Sequence, residues 1–440
     1  MITPSTAPLT PLLTPARSRR VLLTLTFTRW FPVGLVIGLF MLWQLERGLT
    51  VAEAVTASSV AGFVVFALEL PTSGFADAFG RKPLLLASGV VNVVAATMFL
   101  LADSFWGFVA AAALTGVFRA LDSGPLEAWF VDTVHESEPG ADVDGALAAQ
   151  GTLVGIGIAA GALISGGLVW WHPVTGWSAL ALPLVVATVL NLVHLGAMLL
   201  LLKERRRHDE GAAVQQALTS VKEAPGVVRA GLRLVRDNGV LRGLILVEVF
   251  WCLAMIVFET FQPIRLAELA GGEEAAARLM GPTAAAAWGV FAVGSALAGR
   301  ASKRLGVTRT AMLARVLNGA GALVMGLVAG PVALIGAYLV TYALHGSAGP
   351  MHAALLHREA SSDNRATVLS INSMVAFGAF SVLTPLAGLL AEASTTQLAM
   401  AVAGGLSILG VLFYRPSLRA ERSGVPAVEV DQAEVAAAPA

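Results

Sequence analysis

Charged side chains occur inside stretches of this sequence that are otherwise apolar. In the N-terminal half these are Arg29, Glu69, Arg119 and Asp122. If such stretches cross a membrane, a charge at the centre costs about 2.5–3.5 kcal/mol, so these residues are expected to pair or to serve a function. The chemistry open to them is mutual neutralisation, proton exchange by a carboxylate, or the holding of an anion by an arginine.

Two stripes of polar and aromatic side chains mark the C-terminal half. One consists of Glu248, Met255, Glu259 and Gln262 with Trp251 alongside, and the other of Tyr338, Tyr342, His345, Gly349 and His352. Helical periodicity places each set on one face of a helix. A lone histidine there is more often a packing residue than a ligand, whereas two tyrosines and facing carboxylates favour a surface along which a solute passes.

Glu259 and Asp122 are predicted to have different roles. Asp122 lies one helical turn from Arg119 and near the depth of Arg29, and a nearby cation favours a charged carboxylate, so we expect Asp122 to stay ionised and mainly to hold Arg119 in place. Glu259 has no close basic residue on its own helix and is flanked by Phe258 and Phe261. Such surroundings suit a group that gains and loses a proton.

The composition places these residues in a membrane protein. Of the 440 residues, 56% are apolar and only 13% are charged, and the mean hydropathy is +0.75. Soluble domains are roughly 25% charged. The formal net charge is zero, so nothing global suggests a nucleic-acid partner, and the single cysteine, Cys252, excludes an intramolecular disulfide and a cysteine-built metal site.

Twelve apolar windows, each long enough to span a bilayer as a helix, run from end to end of the chain. They cover residues 22–45, 54–75, 84–102, 105–134, 147–171, 178–202, 241–264, 281–300, 310–329, 332–355, 366–391 and 395–414. Gly124 and Pro125 interrupt the fourth window. The predicted fold is an all-α membrane protein with twelve transmembrane helices in two pseudo-symmetric six-helix bundles.

The distribution of basic residues predicts the orientation. With the N-terminus inside, 24 of the 29 basic residues are cytoplasmic, three (Arg47, Arg265 and Arg278) lie outside and two (Arg29 and Arg119) lie within the membrane. Cytoplasmic loops retain positive charge, so both termini are predicted to be cytoplasmic. The excess of Arg, Ala and Gly indicates a GC-rich bacterial genome, and the expected location is the bacterial plasma membrane.

A polar stretch divides the twelve windows into six and six. The predicted parts are an N-terminal bundle (1–202), a cytoplasmic linker with an amphipathic helix (203–240), a C-terminal bundle (241–415) and a disordered cytoplasmic tail (416–440). In the linker, Arg229, Arg233 and Arg236 recur at helical spacing beside an apolar face of Val228, Leu232 and Val235. This pattern fits either a helix lying on the anionic inner leaflet or a solvated linker helix.

The loop after the second window carries the most specific motif. Asp77, Gly80, Arg81 and Lys82 match the G-x-x-x-D-x-x-G-R-K motif position by position, with Ser73 in place of the first glycine. This loop resembles the signature that joins helices 2 and 3 of the major facilitator superfamily. A second glycine pair, Gly299 and Gly306, resembles a repeat copy that has Lys303 in place of the Asp.

The resemblance implies a fold and roles for several residues. Helices 1, 4, 7 and 10 of the superfamily line a central cavity, and the two bundles rock around it. An acidic residue on helix 4 there often pairs with the arginine of the signature loop, which implies an inner lock between Arg81 and Asp132. The glycines of helix 5, which include Gly151, Gly155, Gly157, Gly161, Gly166 and Gly167, partly match an antiporter motif. Small residues four apart also allow helices to approach closely.

The absence of nucleotide and catalytic motifs bears on function. There is no G-x-x-x-x-G-K-[ST] phosphate loop and no triad or metal-ligand grouping, so an enzyme is not expected, and either an ion gradient or the substrate's own gradient must supply the energy. The leading hypothesis is proton-coupled export of an amphiphilic, drug-like compound. The alternatives are proton-coupled uptake of a small organic solute or anion, held by Arg29 or Arg119, and a non-transporting receptor that kept the fold.

The predicted site therefore has a pathway set and a gating set. The pathway set is Arg29, Glu69, Arg119, Asp122, Glu248, Glu259, Tyr338, Tyr342 and His345. The gating set is Asp77, Gly80, Arg81, Lys82 and Asp132. The expected partners are a small-molecule substrate, protons and membrane lipid, with no cofactor, no metal and no nucleic acid, and the protein is expected to function as a monomer.

Overall fold

The fold consists of helices that are long enough to cross a membrane. The computed structural model describes residues 12–73, 75–204, 210–361 and 364–423, and these residues contain helices and no strands. Eleven of the described helices are apolar and long enough to span, and a twelfth span forms from Pro15–Val36 and Phe40–Glu46, which meet at a bend of 41°. The predicted all-α fold is confirmed.

The helices keep the predicted order. Helix 1 is Pro15–Val36 with Phe40–Glu46, helix 2 is Val51–Ser73, helix 3 is Arg81–Leu101, helix 4 is Phe105–Leu121 with Pro125–Ser137, helix 5 is Asp144–Trp171 and helix 6 is Ala181–Leu201. Helix 7 runs from Gly239 to Ala270, helix 8 is Glu273–Leu305, helix 9 is Val307–Leu327, helix 10 is Pro331–Arg358, helix 11 is Arg365–Ala393 and helix 12 runs from Thr396 to Ser423.

The helices pack as two bundles with the same internal arrangement. In the first, helix 1 packs on helix 5, helix 2 on helix 4, and helix 3 on helices 4 and 6. In the second, the corresponding pairs are helices 7 and 11, helices 8 and 10, and helix 9 with helices 10 and 12. Helices 2 and 11, and helices 5 and 8, join the bundles. Each pair therefore has a counterpart six helices later along the chain, as internal repeats require.

In the described residues, the backbone leaves the α-helical path within helices 1, 4 and 7, and helix 12 contains a 3-10 segment, Ile408–Tyr414. Helix 1 bends between Val36 and Phe40, and helix 4 breaks at Gly124, whose φ of 90° is easily adopted only by glycine, with Pro125 starting the next segment. Helix 7 contains a π-helical segment, Ile256–Phe261. The break in helix 4 lies at the Gly-Pro pair that the sequence indicates.

Glycines allow helix 5 to approach its neighbours at some of the predicted positions. A Cβ atom on Gly161 would lie 2.2 Å from the backbone oxygen of Phe31 in helix 1, and one on Gly166 would lie 3.1 Å from the Cα atom of Gly281 in helix 8. No atom would lie within 4 Å of a Cβ on Gly151 or Gly167. The prediction of close packing is therefore wrong at Gly151, which lies four residues before Gly155, whereas Gly167 belongs to no four-residue glycine spacing.

The linker and the C-terminal segment both form helices. The linker helix, Glu210–Asp237, packs against the short Phe75–Phe79 helix of the loop between helices 2 and 3 and against helices 2 and 11. The chain after 415 was expected to be disordered, but Arg415–Ser423 is helical, with Ser417 only 4% exposed. Packing of this polar segment cannot be read from its own composition. Residues 424–440 lie outside the described residues.

Candidate functional site

A charge pair between helices 1 and 4 lies in the N-terminal bundle. Arg29 Nε donates to Asp122 Oδ2 at 2.9 Å, and the guanidinium also lies 4.4 Å from the centre of the Phe118 ring. Asp122 was expected to hold Arg119, one turn away on its own helix. That expectation is wrong, because Asp122 is the C-cap of the first part of helix 4, where the chain breaks and the carboxylate meets helix 1.

Arg119 has a different environment from Arg29. Its side chain is exposed, and its guanidinium lies 5.3 Å from the centre of the Phe377 ring on helix 11, so it stands where the two bundles meet. Glu69 is near enough to interact electrostatically. Among the described residues, however, Arg119 forms no ion pair within 4 Å, and Glu69 Oε2 is buried without a hydrogen-bond partner. The two arginines therefore differ, because Arg29 has a carboxylate partner and Arg119 has none at ion-pair distance in the described part of the structure.

A cavity lies inside the N-terminal bundle, between helices 1, 3, 4 and 6, and is called the main cavity because it is larger than the Glu259 cavity described below. Its volume is about 340 Å³. Polar side chains line part of it, namely Arg29, Arg119, Asn92, Thr115, Thr188 and Asn191, and aromatic rings line another part, namely Trp30, Phe40, Phe99 and Phe118. Pockets for small organic molecules usually have volumes of about 300–1,000 Å³ and mostly apolar walls with a few polar groups. The main cavity has both properties.

A second, smaller cavity contains Glu259. This Glu259 cavity has a volume of about 20 Å³, and helices 1, 7, 8 and 10 contribute its lining, including Gly38, Gln262, Trp288, Tyr338 and Tyr342. Gln262 is fully buried, and neither its amide nitrogen nor its amide oxygen has a partner among the described residues. Ile37, at the bend of helix 1, lines both cavities. The bend therefore separates the cavity that contains Arg119 from the one that contains Glu259.

Aromatic rings enclose His345 beside the Glu259 cavity. Its imidazole stacks on Trp251 at a centroid distance of 5.5 Å, and Phe258, Phe291 and Tyr342 lie at 5.0, 5.4 and 5.6 Å. The stripe on helix 10 thus brings Tyr338, Tyr342 and His345 to one region, as its spacing indicates. The side-chain Nδ1 atom of His345 has no hydrogen-bond partner among the described residues.

Glu248 is separated from Glu259 in the structure. Glu248 is 4% exposed and lies within the C-terminal bundle, where Arg315 Nη2 of helix 9 is 3.1 Å and His352 Nε2 of helix 10 is 3.0 Å from its Oε1. It lines neither of the two cavities described above. The two carboxylates of the helix 7 stripe therefore have different surroundings, and Glu259 lies in the π-helical segment Ile256–Phe261, which has more residues per turn than an α-helix.

Arg315 is a residue that the sequence reasoning missed. The charge count assigned it to the cytoplasmic side, but its side chain is 7% exposed, and its guanidinium lies 4.9 Å from the centre of the Trp251 ring. The only signal in the sequence was its place six residues inside an apolar window. Tyr414 extends the same network, since its hydroxyl lies 2.9 Å from His352 Nδ1. This cluster joins helices 7, 9, 10 and 12.

The loop between helices 2 and 3 contacts helices 4 and 6. Arg81 Nη2 lies 3.4 Å from Asp132 Oδ2, the pair that the sequence resemblance implies. The backbone N–H groups of Arg81 and Lys82 both donate to the Glu204 carboxylate, at 2.9 and 2.8 Å. Lys82 Nζ in turn donates to the carbonyls of Leu199 and Leu202. A carboxylate therefore caps the start of helix 3, and an ammonium group caps the end of helix 6.

Glu204 is a second residue that the sequence reasoning missed. Gly80, with a φ of 95°, brings the loop so close that an added Cβ atom would lie 3.0 Å from Glu204 Oε2. Six helices later the arrangement recurs, since a Cβ on Gly306, with a φ of 85°, would lie 3.1 Å from Glu421 Oε1. Asp77 is in the Phe75–Phe79 helix, and its side chain lies outside the described part of the structure.

The sequence comparison identifies the family. The sequence profile of the Major Facilitator Superfamily matches residues 21–348 and 276–438. The chain belongs to the Major Facilitator Superfamily. A search of curated protein sequences finds no match. The superfamily profile covers both bundles, and therefore all of the pathway and gating residues named above.

Solved structures of transporters resemble the chain over nearly all of its length. The nucleoside transporter NupG has 10% sequence identity and a TM-score of 0.73, over 91% of this chain and 99% of NupG. A proton dependent oligopeptide transporter has 13% identity and a TM-score of 0.68, over 93% and 100%. A POT family transporter solved with 5-aminolevulinic acid has 14% identity and a TM-score of 0.68, over 93% and 97%. At these identities the likeness establishes the fold.

Membership of the superfamily makes this chain a multi-span membrane transporter of small molecules. Arg29, Arg119 and Glu259 come from helices 1, 4 and 7 and the tyrosines come from helix 10, but these residues divide between two cavities instead of lining one central cavity. The main cavity also uses helices 3 and 6, which the sequence resemblance did not indicate.

Proposed function

We propose that this transporter carries a small organic solute with an anionic group, and that protons drive the transport. The observation that carries the proposal is the difference between two arginines that line one cavity. Asp122 neutralises Arg29 at 2.9 Å, whereas Arg119 is exposed and forms no ion pair among the described residues. A guanidinium with free donors matches a carboxylate or a phosphate in geometry and charge.

The body of the solute is apolar or aromatic in this proposal. Trp30, Phe40, Phe99 and Phe118 offer flat apolar surfaces in the same cavity, while Asn92 and Asn191 offer donors and acceptors. The volume of about 340 Å³ is near the lower end of the range for small-molecule pockets, which favours a compact solute. Two of the similar folds are described as proton dependent oligopeptide transport and a complex with 5-aminolevulinic acid, and these descriptions are compatible with the proposal.

Glu259 is the proposed proton carrier. It is enclosed by helices 1, 7, 8 and 10, and no ion pair to it forms among the described residues. A carboxyl group inside a membrane and without a cation can bind and release a proton as its surroundings change. The bend of helix 1 at Ile37 contacts both cavities, so movement of this helix links the occupancy of the main cavity to that of Glu259.

Flux into proteoliposomes tests the proposal. With an imposed proton gradient, we expect saturable accumulation of at least one compound from a panel of small carboxylates, zwitterions and cationic amphiphiles, with the carboxylates preferred. Arg119→Gln removes a charged hydrogen bond, which should raise KM by roughly 10- to 100-fold. The KM of Arg119→Lys should lie between that of the parent protein and that of Arg119→Gln. Arg309→Gln, at an exposed arginine, serves as the matched control. Transport of the cations alone would contradict the proposal.

Proton-driven export of a cationic amphiphile is the second candidate. The observation in its favour is that Phe258, Trp288 and Tyr342 line the same cavity as Glu259, since aromatic faces and a carboxylate both attract cations. In that case Glu259→Gln should abolish binding of the cation. Under the first proposal the same variant still binds and exchanges an organic anion.

A further inference from the structure

The linker helix, Glu210–Asp237, is held near the ends of two membrane spans. Helix 6 ends at Leu201 and helix 7 begins at Gly239, so eight residues connect the linker helix to one membrane span and one residue connects it to the other. A helix tethered in this way cannot move far from the membrane surface. The faces that it turns away from the protein are therefore positioned to meet lipid headgroups.

One face of the linker helix consists of small residues that pack on the protein. Ala217 and Ala224 are 5% and 8% exposed, and Gly231 packs against Ile371 of helix 11. These residues recur every seven positions, which keeps them on one side of an α-helix. They fix the rotation of the helix, and so they decide which of its other faces point outward.

An exposed apolar stripe lies directly beside the packed face. Val214, Leu218, Val221 and Leu232 are 49%, 54%, 41% and 56% exposed. At 100° per residue their side chains fall within about a quarter of the helix circumference. Contiguous apolar side chains left exposed on a polar helix mark an interaction surface.

Basic residues border this stripe on the side away from the protein. Lys222, Arg229, Arg233 and Arg236 are all exposed and fall within about 60° of one another, next to the apolar side chains. The acidic residues Glu223 and Asp237 lie farther round the helix, although Asp237 reaches Arg236 at 3.8 Å. The order around the helix is therefore small, apolar, basic and then acidic.

We propose that this face of the linker helix docks on the anionic headgroups of the adjacent lipid leaflet. The apolar stripe enters the boundary between headgroups and acyl chains, and the four basic side chains reach the lipid phosphates. Positive charge next to an apolar stripe complements the anionic headgroups and the acyl chains of a bilayer. For this reason the proposed occupant of the face is the bilayer and not a protein partner. Because the linker helix contacts Phe75–Phe79, docking also restrains the loop that carries Arg81. This inference does not depend on the identity of the solute.

A fluorescent label placed by a single new cysteine tests the docking. The native Cys252 is buried and should not react in the folded protein. An environment-sensitive dye is attached at Leu218→Cys on the stripe and, as the matched control, at Gln216→Cys on the far side of the helix. The protein is studied in nanodiscs of phosphatidylcholine, with or without phosphatidylglycerol, and in detergent.

Docking predicts a blue-shifted emission at position 218 and a several-fold loss of quenching by aqueous iodide only in the anionic nanodiscs, with no change at position 216. Each basic residue near an anionic surface contributes about fivefold in affinity, so the quadruple variant K222Q/R229Q/R233Q/R236Q should abolish the difference. Equal iodide access at position 218 in both lipids would overturn the proposal. If the dye at position 218 were equally protected from iodide in detergent, a second copy of the chain or another protein would cover the stripe, and this result would also overturn the proposal.

Discussion

Three carboxylates inside the spans have three different surroundings. Asp122 contacts Arg29, Glu248 contacts Arg315 and His352, and Glu259 has no ion pair among the described residues. A carboxylate matched by a cation contributes to packing between helices, whereas an unmatched one must be neutral or transiently charged. The residue types are the same, so their partners on other helices decide their roles.

Neutralising Glu259 should uncouple transport from protons. Glu259→Gln keeps the shape of the side chain but cannot carry a proton, so proton-driven net accumulation should be lost while solute exchange across the membrane remains measurable. Proton-driven uptake and counterflow in proteoliposomes measure the two activities separately. The control is Glu136→Gln, an exposed carboxylate on the last turn of helix 4. Normal proton dependence in the Glu259 variant would transfer the role to Glu69.

Removing either partner of the buried pair between Glu248 and Arg315 should destabilise the protein. Glu248→Gln leaves the guanidinium without its carboxylate at 7% exposure, and a broken buried pair costs about 3–5 kcal/mol. The double variant Glu248→Gln with Arg315→Gln should recover part of the loss. The apparent melting temperature in detergent measures this.

A matched control lies on the same helix. Glu268→Gln breaks the more exposed pair with Arg265 and should cost no more than about 1 kcal/mol. If the Glu248 and Glu268 variants melt at the same temperature, the buried network does not stabilise the bundle.

The residue types were predictable from the sequence, but their partners were not. Arg29, Arg119 and Glu259 stand out because charge is rare in apolar windows. Asp122 meets Arg29 across a helix break, and Arg315 meets Glu248 across two helices, and no spacing within one helix encodes either contact. Glu204 was missed for the same reason, because its function is to cap a helix that is more than a hundred residues away in sequence.

At the scale of the element, helix ends and helix breaks position the site. Apolar windows predicted all twelve spans, but several helices extend beyond them, as helix 8 does from Glu273 to Leu305 instead of 281–300. Hydropathy detects only the part of a helix inside the hydrocarbon region. The Gly-Pro break in helix 4 was predictable because Pro starts a helical segment, whereas the π-helical segment Ile256–Phe261 has no comparable sequence signal.

Arg81 and Asp132 should act as a lock between the signature loop and the end of helix 4. Their 3.4 Å contact is partly exposed, and exposed pairs contribute at most about 1 kcal/mol, so the contact can break during transport. Arg81→Asp or Asp132→Arg should impair flux because each places like charges together, and the double exchange should restore part of it. Glu136→Arg, one turn beyond Asp132, is the control. A double variant no more active than the single ones would rule out the lock.

The hydrogen bonds that Glu204 accepts at the start of helix 3 and that Lys82 donates at the end of helix 6 should hold these two helices together. Glu204→Gln keeps hydrogen-bonding capacity but removes the charge that caps helix 3, and loss of such a cap typically costs about 1 kcal/mol. The apparent melting temperature should therefore fall slightly, and cleavage of the loop between helices 2 and 3 by protease should become faster. Glu204→Ala should show larger effects in both measurements. If the rate of cleavage were unchanged in both variants, these contacts would not hold the loop and the two helices together.

At the scale of the whole molecule, the two bundles meet at the face opposite the linker. Phe40–Glu46 of helix 1 contacts the start of helix 8 and the end of helix 7, and the backbone N–H of Ala52 donates to Glu392 of helix 11 at 3.1 Å. Transport by alternating access requires such contacts to separate and re-form around the cavities. One close contact between the bundles lies where helices 5 and 8 cross, at Gly166 and Gly281.

Gly281→Val should hold the face opposite the linker open. A Cβ atom on Gly281 would lie 2.5 Å from the backbone oxygen of Ala162, and helices 5 and 8 must move apart to accept it. Because helix 5 belongs to one bundle and helix 8 to the other, that movement separates the bundles. Transport should cease, and Gln262→Cys, fully buried in the parent protein, should react with an impermeant thiol reagent from that face. The control is Gly289→Val on the same helix, because no atom lies within 4 Å of the added Cβ position. This variant should transport normally and leave the cysteine at position 262 unreactive. A well-folded Gly281 variant with normal flux and an unreactive cysteine would show that this crossing does not close the molecule.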